Sequence, residues 1–421
     1  MTQGMTRRSV RPTPDRSSGH ALELVRSALD VAELLVEHVV LAPSTRFSHR
    51  PSNRSSNRPG ADFTKEVAEV AMLLRLAQRV LREEPDRVRI AALADRIAPV
   101  ARSAATRNLL VVRPSRAAAH LLAHACLQQL GCVDAGFDEL ARAALGSSAA
   151  GAAERVPYRL LDVAWIRSLV LGDAELAHPA LVLTPIGQGV DLVHATVDDA
   201  YAFSHALPYA TDFGRVPLPA TVDTALLAGT ADALVLKALH EDDLDLLGEL
   251  LMVPALLGTD WTTIQWFGWQ VLRDTWRHYG FVPGPGLPEA EPAEDHQDAV
   301  RRVLGTVYHS TLVGGLAVAT LVSAGRLPAP RPPAAAAFPD ARVDPDDASW
   351  AWQRVWHRLD PSVQAHLGAV PAGIALHRAL DELDVVAIVD SLGGDGVDAL
   401  PIPLVLQAAE LVNRMAVLVG R

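Results

Sequence analysis

The segment VDDAYAFSHALPYATDFG, residues 197–214, decides how the rest of the chain is read. Apolar and small side chains recur in it at helical spacing, and Asp198 and Asp199 fall in the first turn, where the helix dipole favours negative charge. Gly214 closes it, a residue that enters the left-handed cap conformation at little cost. Within it lie Tyr201, His205, Tyr209 and Asp212. Two later segments echo this one. ELLMVPALLG, 249–258, sets Glu249 nine residues before its glycine, as His205 stands nine before Gly214. YHSTLVGGLAVA, 308–319, overlays on the first when His309 is matched to His205. As equivalent helices of a repeated array, the three would bring His205, Glu249 and His309 to similar heights around a common centre.

Outward from this stretch the chain alternates apolar helix, glycine stop, turn and helix. The periodicity predicts helices over 20–41, 63–83, 87–103, 115–131, 134–145 and 158–172 before it. After it, helices are expected over 197–213, 222–240, 243–257, 261–279, 299–324, 348–359, 371–388 and 403–419. Two-residue alternation is confined to ALVLT, 180–184, a short strand candidate. The expected fold class is therefore all-α: a toroid-like α/α arrangement, an incomplete barrel of paired helices, with an open α-solenoid as the alternative. Residues 1–18 read as a disordered N-terminus and 19–421 as one helical domain, with mobile loops at 43–60, 281–298 and 327–347, where Pro, Gly, Ser or Ala accumulate.

With 49% hydrophobic and 21% charged residues over 421, the chain has ample material for a core, and 5% aromatics favours helices over sheets. A formal net charge of -11 argues against nucleic acid as a partner, because phosphate binding needs a basic face. Two cysteines are too few for a disulfide scaffold, and a cytoplasmic location is expected. Arg7-Arg8 is followed by polar residues rather than the apolar run of an export signal. Residues 303–325 lack Asp, Glu, Lys and Arg, yet Thr, Ser, Tyr and His interrupt them, so they read as a buried core helix and not a membrane span.

Two imidazoles and a carboxylate, His205, His309 and Glu249, suit Zn or Fe with open positions, or a metal-free acid/base site. Tyr201, Tyr308 and Asp212 are their catalytic companions, Asp212 standing two helical turns from His205 on the same side. Tyr209, Trp266 and Trp269 are the candidate substrate-binding aromatics. His120, His124 and Cys126 read as packing residues, and the acids at 241–245 as a solvated helix start without terpene-synthase DDxxD spacing.

The segments DAYAFSHALPYATDFG (199–214), YGFVPGP (279–285) and YHSTLV (308–313) resemble the signature segments of an uncharacterised all-helical bacterial family, a domain of unknown function common in actinobacteria and in natural-product gene clusters. The resemblance covers about 115–325 and carries over His205, Asp212 and His309 as motif residues and Glu249 by its ELL context. Pro208 and Pro254 inside the echoing helices depart from it.

The setting it implies leads to the expectation of a tailoring enzyme for a peptide or related natural-product intermediate, cyclase- or lyase-like, working with acid/base or metal-assisted chemistry in a central cavity. A biosynthetic partner enzyme is a candidate partner; nucleic acid and membrane are not expected. The alternatives are a non-catalytic helical module binding a leader peptide or partner enzyme, and a terpenoid-cyclase relative.

Overall fold

The computed structural model describes residues 16–41, 63–172, 177–284, 296–332, 350–394 and 396–419. The expected loop 43–60, most of 281–298 and 327–347, and residues 1–15 lie outside this set. Among the described residues all regular structure is helical and there is no strand. The ALVLT run is a correction: it is the end of Ala177–Leu181 and the turn behind it, where the Thr184 hydroxyl donates back to the Leu181 carbonyl.

Six helices pack in succession around one space. Thr64–Val80 packs on Ala117–Gln129, that helix on Pro157–Leu171, and that on Val197–Thr211. Val197–Thr211 then meets Leu244–Leu250, which meets His296–Ser323, and His296–Ser323 returns to Thr64–Val80. Arg16–Leu35 packs along His296–Ser323, and Glu84–Ala101 along Thr64–Val80. Thr224–Glu241 packs against Leu244–Leu250 and carries Ala369–Asp381 and Ile402–Val419 on its other contacts. Alanine and leucine predominate at the buried positions, which lets helix axes approach closely at low side-chain entropy cost. The GlyGly pair in VGGLA serves the same end: a Cβ on Gly314 would stand 2.7 Å from Trp276 and one on Gly315 2.5 Å from Ala28. His296–Ser323 includes the uncharged run 303–325 almost whole; it is long and apolar enough to cross a membrane, but 78% of its apolar window is buried against other helices.

Proline and left-handed residues account for most departures from periodicity. The expected helix 243–257 is two, Leu244–Leu250 and Val253–Leu257, because Pro254 offers no N–H to the Leu250 carbonyl. The expected helix 371–388 is also two, Ala369–Asp381 and Val385–Gly393, parted by Leu383 at φ 56° and restarted by the Asp384 cap. Helices Ala104–Val112 and Pro361–His366, unforeseen, start at the caps Ser103 and Asp360. The central helix stops earlier than Gly214: Val197–Thr211 ends with Asp212, Phe213 and Gly214 all at positive φ (47°, 55° and 78°). Gly214 is needed there because a Cβ would come within 3.0 Å of the Ala255 carbonyl.

Candidate functional site

A capping box fixes the register of the central helix. The Thr196 hydroxyl accepts from the Asp199 amide, and the Asp199 carboxylate accepts from the Thr196 amide. Ser204, His205, Pro208 and Tyr209, spaced by one helical turn, consequently share a face, and all four line a cavity of about 800 Å3. Opposite, Asp243 caps Leu244–Leu250 by accepting from the Asp245 and Leu246 amides. That places Asp245 and Glu249, four residues apart, on one side of a short helix.

Two half-buried imidazoles are thereby paired with buried carboxylates. His205 Nε2 lies 3.2 Å from Glu249 Oε1, and the Ser204 hydroxyl donates to the other Glu249 oxygen. His309 is held at both nitrogens: Nδ1 is 3.0 Å from Glu69 Oε1 and Nε2 is 3.2 Å from Asp245 Oδ2. Tyr201 links the pairs, donating from its hydroxyl to Asp245 at 2.9 Å while its ring stacks near His205 at 5.7 Å. Tyr158 stacks on His205 as well, at 5.6 Å.

Burial opposes the charged form of His205, but the charge and hydrogen bond of Glu249 outweigh it, so its pKa is raised. Burial likewise opposes His309⁺, and its hydrogen bonds to Asp245 and Glu69 push it up to about 10. His309 is thus a fixed imidazolium at neutral pH. Asp245 is lowered, its burial overcome by the hydrogen bond and charge of His309. Asp162, on the same cavity, is raised by burial despite Arg159 at 3.1 Å.

The cavity wall includes His205, Glu249 and His309 together with Glu69, Asp162 and Tyr209. Burial raises the Tyr209 phenol well above its ordinary range. The other candidates from the sequence lie elsewhere. The seven-residue spacing that would align Asp212 with His205 fails because Asp212 leaves the helix in the left-handed conformation. Asp212 does not line the cavity: its carboxylate accepts from Arg75 at 3.1 Å, Arg215 at 2.6 Å and the Trp165 indole at 2.9 Å. Tyr308 is buried with its ring edge toward His309, and burial raises its pKa. Trp266 and Trp269 belong to Thr263–Tyr279, which packs against Thr224–Glu241, and neither lines the cavity. Trp266 donates instead to the Ala329 carbonyl and Trp269 meets Trp261 edge to face. Nor do His205, Glu249 and His309 share one centre. His309 spans two carboxylates from opposite ring nitrogens, and among the described residues no group of three or more His, Cys, Asp or Glu is placed to hold a metal ion.

Glu69 and Tyr158 escape a reading of the sequence alone, and Asp245, read with 241–245 as a solvated helix start, is instead buried. Glu69 stands four residues after Lys65, the signature of a surface ion pair, and Asp245 is masked by the capping acids before it.

An all-helical protein with paired buried acids and imidazoles around one internal cavity is the class these observations define. Residues 26–319 match the family described as a domain of unknown function (DUF6895), and the chain belongs to that family. No curated protein and no solved structure matches it.

Proposed function

We propose that the chain is an acid/base enzyme, built as an α/α toroid, that tailors a peptide or related natural-product intermediate by a cyclase- or lyase-like reaction. The toroid reading rests on the closed succession of six packed helices. The catalytic reading rests on one observation: the His205–Glu249 pair at the cavity wall, an imidazole with a carboxylate 3.2 Å away that favours its protonated form beside the enclosed space. Cyclisation and elimination each deliver a proton to one atom and remove one from another without redox change. His205 exchanges that proton, Glu249 stabilises the imidazolium, Ser204 orients Glu249, and His309⁺ supplies a charge that does not titrate near neutral pH.

The test is conversion of the small-molecule and peptide fraction of the source cells by purified protein, followed by mass spectrometry that includes isomers of unchanged mass. Wild type is expected to consume a component, and folded His205→Gln and Glu249→Gln variants to be slower by about 100-fold or more. Undiminished conversion by both variants, or none by wild type, overturns the proposal. A second reading, a non-catalytic module for a leader peptide or partner enzyme, draws support from His309, whose two nitrogens are both already paired with protein carboxylates. It predicts tight ligand binding that survives both substitutions.

A further inference from the structure

Three acids of the cavity, Glu69, Asp162 and Glu249, are buried, whereas its basic residues gather at the rim. Lys65, Arg116 and Arg159 are exposed and Arg155 is half-buried, and all four line the cavity. Two of these charges are partly answered from within: Arg159 by Asp162 at 3.1 Å, and Lys65 by Glu69 at 3.6 Å, an acid that His309 also claims. Arg155 is different. Its guanidinium donates to three neutral carbonyls, those of Ala153 (2.8 Å), Ser115 (2.8 Å) and Ala150 (3.2 Å), which hold the group in place without cancelling its charge. Arg116, next in the chain to Ser115, has no ion pair among the described residues. The acid at this rim is Glu154, exposed beside Arg155 in sequence.

The backbone adds to the same field. Thr64–Val80 and Pro157–Leu171 begin at this rim, and neither has a side chain capping its N-terminus. Two uncapped positive helix ends therefore add to the field of the four basic side chains. Below them the wall is apolar, with Met72, Leu122, Ile166, Met252, Leu312 and Leu316.

We infer that the cavity takes an amphiphile: an apolar body lying along this wall, with an anionic head, carboxylate or phosphate, bound by Arg155 and Arg116 and steered by Arg159 and Lys65. A guanidinium fixed in advance loses little entropy on pairing with an oxyanion, and an apolar pocket with a few placed charges is the usual design for such ligands. The inference rests on the proposed function only in treating this cavity as the substrate site.

The probes are decanoate, decyl phosphate, decanol and decylamine, titrated calorimetrically into wild type, His205→Gln, Arg116→Gln and Arg116→Gln/Arg155→Gln. Decanoate or decyl phosphate, whichever head the site prefers, is expected to bind wild type about tenfold or more tightly than decanol, with decylamine weakest. The preference should shrink as salt is raised. The double variant should hold the anion no better than decanol, and Arg116→Gln, which disturbs no described hydrogen bond, should weaken it about fivefold. His205→Gln should keep the preference for the anion over decanol. Equal affinity for decanol and both anions, or full anion affinity in Arg116→Gln together with the double variant, overturns the inference. Anion binding retained in His205→Gln with undiminished turnover would instead remove the catalytic reading and leave the head-group assignment standing.

Discussion

Two charged clusters are built on the same fifteen-residue helix and its exit, and they are opposites. At Asp212 one carboxylate meets Arg75, Arg79, Arg215 and an indole N–H, and only 5% of Arg75 remains exposed. At His205 one imidazole meets one carboxylate on the wall of a cavity, with about a third of its side chain open. The first arrangement leaves no oxygen for a ligand and reads as a clasp between Val197–Thr211, Thr64–Val80 and Pro157–Leu171. The second leaves a shared proton within reach of the cavity. Polar residues of one motif, seven positions apart, thus divide between holding the helices together and facing the space they enclose.

The harshest test of that division is Asp212→Asn. It strips the buried Arg75 of its counter-charge, and breaking a buried pair by removing one partner costs about 3–5 kcal/mol. Urea denaturation should show the loss in full; a variant as stable as wild type would mean that Asp212 is free for other work. A smaller effect is expected from pH at His309, which pairs with Glu69 and Asp245 on the same cavity. Folding raises His309, so its contribution is fully present below the ordinary histidine value near 6.5 and fades as pH climbs through about 10. The denaturation midpoint of wild type should accordingly fall more between pH 7 and 10.5 than that of His309→Gln, and parallel curves for the two would contradict the imidazolium assignment. The smallest is Ser204→Ala, which deletes one hydrogen bond to the Glu249 carboxylate at about 1.5 kcal/mol. Should its cost equal that of Asp212→Asn, the contrast between clasp and cavity would collapse.

Periodicity and composition make the helical class legible, because helix burial writes itself into every third or fourth position. The same signal sets His205, Glu249 and His309 on helices, and all three line one cavity. What periodicity does not carry is the partner across space. Glu69 and His309 are 240 residues apart, and nothing local to either marks the pair. Nor does spacing survive a change of backbone region: Asp212 is aligned with His205 only while the helix continues, and it stops one residue short. Glu249 and Gly258 echo His205 and Gly214 in spacing alone, since Pro254 divides their segment into two helices. The tryptophans mislead for another reason: Trp266 and Trp269 carry large apolar surface, which packs between helices as readily as it lines a ligand site.

The helix that completes the circuit is also its last member in the chain. Thr64–Val80 waits for His296–Ser323, more than two hundred residues later, before its second flank is covered. Contacts so distant in sequence are slow to form, since the intervening loop must be closed first. A nascent chain halted before residue 296 would present an open arc with Glu69 and Asp245 unneutralised by His309, and synthesis would have to run past that point before these acids gain their counter-charge.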